Sequence, residues 1–292
     1  MISSFHVSSV AVPGAALGYS VEGAGEPVLV VGSATYYRRT FSQRLADSCT
    51  LAFADLRHFA PCDPGYDFAD LTFDSYAEDI DRVRAALGFE RCVVVGHSKH
   101  GDIALESANR YPERASGVVL IGSPPCDVAR VVEAKDIYWE DYASETRKAA
   151  YLRNWHSVTD DRLARMSLAV MVEARYVADG PKYWYDPAYD ATPLWRDVYV
   201  NSNALDRIHE LFQRYEMSWN IDQLRSPILA VMERYDFAVP HTLWEAARAE
   251  LPAFTYTLFE RSGHTPLLEE AEQFDAVFLS WLRGEATAVT GG

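Results

Sequence analysis

Three residues of this chain, met in the order Ser98, Asp236 and His264, are of the types that together turn a hydroxyl into a nucleophile. A serine hydroxyl attacks poorly at neutral pH. It needs a base within hydrogen-bonding reach, and the base needs a carboxylate to fix its tautomer. Ser98 lies in Gly96-His97-Ser98-Lys99-His100-Gly101, directly after the apolar run Cys92-Val93-Val94-Val95 and at the start of a helical pattern that stops at Pro112. A strand, a sharp turn and a helix around a central serine push Oγ out above the carboxyl edge of a sheet, which requires small residues two before and two after the serine. Gly96 meets that need; His100 does not, and the second glycine is displaced to Gly101. Asp236 follows the apolar run 228–232, and His264 follows the run 254–259. All three would therefore leave the same sheet edge. Asp127 is a second carboxylate that satisfies the order Ser, acid, His.

The elements that must position these groups follow from apolar spacing. Residues 5–21 alternate around Pro13-Gly14 and read as an antiparallel hairpin. Continuous, largely β-branched runs at 27–31, 51–54, 92–95, 118–121, 228–232 and 254–259 suit strands buried on both faces. Tyr76, Ile80, Val83 and Leu87 recur at helical spacing after Asp74 as N-cap, a second helix spans 99–111, and others cover 241–250 and the segment from Leu267 to Trp281. The alternation predicts an α/β fold, a mostly parallel sheet flanked by helices. Residues 126–222 break it: they look wholly helical and hold Trp139, Trp155, Trp184, Trp195 and Trp219, five of the seven tryptophans. They are expected to be an inserted helical lid (cap) domain, with 1–125 and 223–285 as the core domain and 286–292 as a flexible tail. Each lid aromatic has two readings, filler for a small core or wall of a site beneath the lid.

In 292 residues, 42 acidic against 27 basic side chains leave a net charge of −15, which repels nucleic acid and anionic membranes and makes a neutral or cationic small molecule the expected partner. No apolar run approaches the roughly 20 residues that span a bilayer. Arg38 is the first basic residue, and Cys49, Cys62, Cys92 and Cys126 show no CxxC spacing, so the expected location is cytoplasmic with reduced thiols. His97 and His100 have the spacing of a metal pair but no third ligand nearby, and Gly23-Ala24-Gly25 precedes a strand rather than following one. No metal and no cofactor are expected.

With the motif at Ser98 stand Asp55-Leu56-Arg57-His58-Phe59, Tyr111-Pro112-Glu113-Arg114, Asp236 with Val239-Pro240, and Ser262-Gly263-His264-Thr265-Pro266. On these residues the chain resembles the α/β-hydrolase fold superfamily, in its proline-iminopeptidase and esterase-like branch, from about Gly18 to Leu282 outside the insertion. The resemblance implies an α/β-hydrolase fold with Ser98 as nucleophile, His264 as general base and Asp236 as its orienter. It implies backbone N–H groups of Lys99 and of Ser33 (or Ala34) as oxyanion donors. The chain departs from the family at Val31-Gly32-Ser33-Ala34, where members carry His-Gly, and at Glu233, where glycine is usual.

The expected reaction is cofactor-free hydrolysis of a carboxylic ester or lactone through an acyl-enzyme. The aromatic lid, with Tyr36, Trp139, Tyr142 and Trp184 as expected substrate contacts, points to a bulky, largely apolar substrate, and the acidic surplus to a cationic one such as an amino-sugar macrolactone. Two alternatives stand beside it. A proline-iminopeptidase-like aminopeptidase would need lid acids for the substrate ammonium, with Glu133, Glu140, Asp141 and Glu145 as candidates; a catalytically silent ligand-binding homologue would fit the displaced glycine. Oligomeric state is left open.

Overall fold

The computed structural model describes residues 8–158, 167–215, 225–248 and 254–285. The tail 286–292, Trp219 and the lid stretches 159–166 and 216–222 lie outside the described residues. Every apolar run named above becomes a strand: β1 (Ser8–Val12), β2 (Ala15–Gly23), β3 (Glu26–Gly32), β4 (Cys49–Asp55), β5 (Cys92–His97), β6 (Ala115–Ile121), β7 (Ile228–Glu233) and β8 (Phe254–Phe259). They form one sheet in the order β1-β2-β4-β3-β5-β6-β7-β8, antiparallel at the β1-β2 hairpin and at β2-β4, parallel throughout the rest. The chain steps outward from β3 to β4 and then returns to the other side of β3 with β5. That reversal is the switch point at which open α/β sheets bind ligands beyond their carboxyl ends, and Ser33 and Ser98 stand on its two sides.

Helices cover both faces because both are apolar. On one lie α2 (Phe73–Ala86) and α3 (His100–Arg110), with Tyr76, Ile80, Val83, Ile103 and Leu105 in the core. On the other lie α1 (Ala34–Arg38) and, after β8, the C-terminal helix, which brings Phe274 and Phe278 inward. The N-cap of α2 is Thr72, not Asp74. Thr72 has extended backbone angles (φ −134°, ψ 172°), accepts from the Ser75 N–H and closes a capping box with that serine, whereas Asp74 already lies in the first turn.

Between β6 and β7 the described residues are helical without a strand: α4 (Val128–Tyr142), α5 (Glu145–His156), α6 (Leu168–Ala178), α7 (Gly180–Tyr183), α8 (Thr192–Trp195) and α9 (Ser202–Gln213). This segment does not rely on a small core of its own. Trp184 is completely buried and joins Ala191, Leu194 and Val198 to the core that holds Phe274 and Phe278, and Ile208 and Phe212 of α9 join the core on the opposite face. Only Tyr138, Trp139, Ala143 and Phe237 make a separate small cluster. Short helices bury little apolar area alone, and packing onto the sheet domain supplies the rest. Trp184→Ala is therefore expected to cost about 3–5 kcal/mol of stability. A melting curve within a degree or two of wild type would contradict that placement.

Candidate active site

Strand β5 ends at His97, and the next residue, Ser98, is held at φ +56°, a left-handed conformation unusual outside glycine. Such strain persists where the surroundings over-determine it. Here they do so through three bonds: the Ser98 N–H donates to Ile121 O (2.7 Å), the Ser98 carbonyl accepts from the Gly101 N–H (3.0 Å), and it accepts also from Ser123 Oγ (2.7 Å). The two glycines have separate tasks. A Cβ on Gly96 would strike the His100 carbonyl, so the residue two before the serine must lack one. A Cβ on Gly101 would strike Ser123 Oγ, so the displaced second glycine is what lets α3 approach the end of β6.

His100, the bulky residue where a small one was expected, finds its room on the other side. Gly32, at φ +148°, carries no Cβ, and one built there would sit 2.8 Å from His100 Nδ1. His100 Nδ1 meets Tyr37 Oη at 2.9 Å and its Nε2 meets His58 Nε2 at 3.0 Å. The chain continues through Tyr37 Oη to His97 Nδ1 (3.2 Å) and through His97 Nε2 to the backbone carbonyl of His264 (2.6 Å), while His58 Nδ1 meets Tyr76 Oη (3.3 Å). Burial holds His100 down to about 4 and, with neighbouring imidazoles, His58 and His97 well below the usual histidine range, so all three are neutral near pH 7. A carbonyl can only accept, and that assigns every tautomer in turn. His97 donates to it from Nε2 and accepts from Tyr37, which accepts from His100 Nδ1–H. His100 then accepts from His58, and His58 from Tyr76. The His97 side chain thus packs against the His264 loop and orients it.

The loop after β8 carries His264, whose Nδ1 lies 2.6 Å from Asp236 Oδ2. The other oxygen of Asp236 accepts from the N–H groups of Ala238 (2.8 Å) and Val239 (2.9 Å), which aims the carboxylate. Asp127 is elsewhere, capping α4 by accepting from the Arg130 N–H at 3.0 Å. Glu233, at the end of β7, is wholly buried with both carboxyl oxygens unpartnered, and burial beside Asp236 pushes it well above the usual carboxylate range. Glu233 makes no hydrogen bond to His264 among the described residues, so Asp236 is the carboxylate that meets the imidazole.

Sequence reasoning missed three residues that hold this loop. Glu269, in α10 (Pro266–Glu269), accepts from the N–H groups of Gly263 (2.8 Å) and Tyr185 (2.7 Å), and burial raises it to about 7 against the pull of those bonds. Glu270 accepts from Ser262 Oγ at 2.7 Å. Arg147, buried in α5, donates to the carbonyls of Pro181, Trp184 and Tyr185, and the Tyr183 carbonyl between them accepts from the His264 N–H. These are contacts between distant segments, and no local spacing announces them.

Ser98 and His264 line two adjoining cavities. The larger, about 430 Å³, runs under the helical segment past Trp155, Phe212 and Phe237; the smaller, about 160 Å³, is a box of Tyr36, Tyr37, Phe59, Tyr176 and Trp195 with Ser33 at its edge. Tyr183 lines both. No Ser98–His264 hydrogen bond is formed among the described residues, a looseness common where substrate is absent. Of the backbone donors, the Ala34 N–H is already given to Asp55 Oδ1 (2.7 Å), whereas Ser33 and Lys99 N–H have no acceptor among the described residues. That leaves Ser33 rather than Ala34 to face an oxyanion.

Of the expected substrate contacts, Tyr36 is in the small box, its hydroxyl 3.1 Å from that of Tyr176. The other three are not on either cavity wall. Trp184 is core, Trp139 packs edge-on to Phe237 at 5.3 Å, and Tyr142 is 67% exposed with its ring 4.7 Å from that of Tyr138. Helical periodicity cannot distinguish these from Trp155, Tyr176, Tyr183 and Trp195, because which side faces Ser98 is set by how the helices stack on the sheet. The aminopeptidase candidates Glu133, Glu140, Asp141 and Glu145 are all exposed, and none lines the cavities.

A family model described as the alpha/beta hydrolase fold matches residues 32–271. A Bacillus subtilis (strain 168) relative, AB hydrolase superfamily protein YclE, is 31% identical over 273 residues, 91% of this chain and 95% of its own length. The pimeloyl-[acyl-carrier protein] methyl ester esterase of Shewanella woodyi is 24% identical over 221 residues, 75% of this chain and 81% of its own. Among solved structures, an alpha/beta fold family hydrolase from Bacillus anthracis str. Sterne superposes with a TM-score of 0.69 at 18% identity, covering 93% of this chain and 97% of that one.

Proposed function

The chain belongs to the α/β-hydrolase fold family, and on that premise we propose that it hydrolyses carboxylic esters or lactones through an acyl-enzyme on Ser98, without a cofactor. The observation that carries the proposal is the 2.6 Å contact between His264 Nδ1 and Asp236 Oδ2 at the wall of the cavity that also holds the strained Ser98. With Nδ1–H given to the carboxylate, Nε2 is the free base. Ser98 Oγ attacks the carbonyl carbon as its proton passes to Nε2, and the N–H groups of Ser33 and Lys99 receive the oxyanion. Collapse of the tetrahedral intermediate breaks the carbon–oxygen bond and returns the proton to the alkoxide. Water then repeats the sequence and releases the acid. The helices α4 to α9 act as the lid over this cavity. Similarity to an esterase and four unpaired cysteines support an ester substrate and a reducing, cytoplasmic setting. No helix among the described residues is long and apolar enough to cross a membrane.

A fluorophosphonate should label the protein at Ser98, read by mass spectrometry of the labelled peptide, and the protein should turn over simple esters but not a proline anilide. Absence of label on folded protein would return the chain to the silent, ligand-binding reading.

A further inference from the structure

Inside a chain of net charge −15, the larger cavity is lined by three lysines: Lys99 beside the nucleophile, Lys135 on α4 and Lys182 on α7. None of the three makes an ion pair within 4 Å among the described residues, whereas Lys148 on the surface pairs with Glu140 at 2.8 Å. Two of them rest on aromatic faces instead. Lys99 Nζ lies 4.9 Å from the Phe212 ring centroid, and Lys182 Nζ lies 4.5 Å from that of Tyr151 and 5.2 Å from that of Trp139. Burial lowers both Lys99 and Lys182; Asp102 opposes it at Lys99 and Asp179 at Lys182, and the charge of Lys135 adds to it at both.

Three aspartates, Asp102, Asp127 and Asp179, share this lining, and none of them comes within 4 Å of a lysine ammonium among the described residues. Asp127 is spent on the cap of α4, and Asp179 accepts the Trp155 Nε1–H at 3.0 Å. Asp102 is nearly fully buried, and that burial pushes it well above the usual carboxylate range against the pull of Lys99. Gathering unpaired ammonium groups in a partly desolvated space is costly unless an anion joins them.

Resting on the ester-hydrolase reading for its chemistry, we propose that the substrate is a half-ester, whose portion in the larger cavity carries a carboxylate received by Lys135, Lys182 and Lys99 Nζ. The aromatic box on the other side of Ser98 takes the uncharged portion. The chain's acidic exterior, which pointed to a cationic substrate, says nothing about a pocket lined by lysines that no carboxylate meets within 4 Å among the described residues.

The test uses two readouts. In calorimetry on the Ser98→Ala protein, which does not depend on turnover, monobenzyl succinate, glutarate and adipate are each compared with their methyl esters. At least one half-ester should bind tenfold or more tighter than its uncharged partner, and Lys135→Met or Lys182→Met in the same background should cut that ratio severalfold. Methionine keeps the apolar stem, so melting curves should stay close to the parent. In kinetics on the otherwise wild-type enzyme, 4-nitrophenyl half-esters should surpass neutral acyl esters of matched length in kcat/KM, with the lysine variants losing the advantage through KM. Uncharged esters binding as well as every half-ester, or ratios unmoved by both substitutions, would overturn the proposal. Failure of fluorophosphonate labelling with half-ester binding intact would leave the anion site standing and remove the hydrolase reading instead.

Discussion

Ser98→Ala should abolish ester hydrolysis while the protein melts almost where the wild type does. The loss in turnover should be on the order of 10⁶, the size seen when the nucleophile of a serine triad is removed. Stability should barely move, because alanine keeps the Cβ and the φ of +56°, and the Ser98 carbonyl and N–H retain their partners Gly101, Ser123 and Ile121. Oγ itself holds up nothing else among the described residues. Steady-state rates on a chromogenic ester, with a melting curve alongside, decide the matter. Activity within tenfold of wild type would dismiss Ser98 as nucleophile.

Asp236→Asn should lower turnover by up to about 10⁴, and for a different reason. Asparagine Oδ1 can still accept from Ala238 and Val239, so the loop keeps its shape. Its Nδ2, however, presents a hydrogen where the carboxylate oxygen stood 2.6 Å from His264 Nδ1. The imidazole must then accept at Nδ1 and carry its proton on Nε2, where it cannot take one from Ser98. Asp127→Asn is the matched control. Asparagine caps a helix as well as aspartate does, and Asp127 has no bond to His264. If the two variants exchanged effects, Asp127 would be the orienting acid and the geometry drawn here for His264 would fall.

Much of this arrangement was legible along the chain because it is local. A run such as 92–95 can be a strand buried on both faces whatever surrounds it, and Gly96 reports a close approach, to the His100 carbonyl, within a few residues of Ser98. The ends of β5, β7 and β8 then carry Ser98, Asp236 and His264 to one edge, since parallel strands joined by right-handed crossovers all finish on the same side. His100 looked like a defect in that reading. Its compensation, Gly32 with Tyr37 and His58, comes from the end of β3, from α1 and from the loop after β4, close in space but far away in the sequence.

By itself, then, the sequence determined the strands, the turn at Ser98 and the placing of Ser98, Asp236 and His264 after strand ends, because each depends on residue types and spacings a few positions apart. Tertiary structure alone decided which lid aromatics face the site, that Trp184 belongs to the core while Trp155 and Tyr183 line the cavity, and that Glu269 and Arg147 hold the His264 loop. It also decided that three lysines gather beside Ser98. Net charge sums over a surface mostly remote from the substrate, whereas Lys99, Lys135 and Lys182 converge only when α3, α4 and α7 stack over one sheet edge. Helix packing sets which side of each helix turns inward, and the spacing within a single helix carries no record of its neighbours.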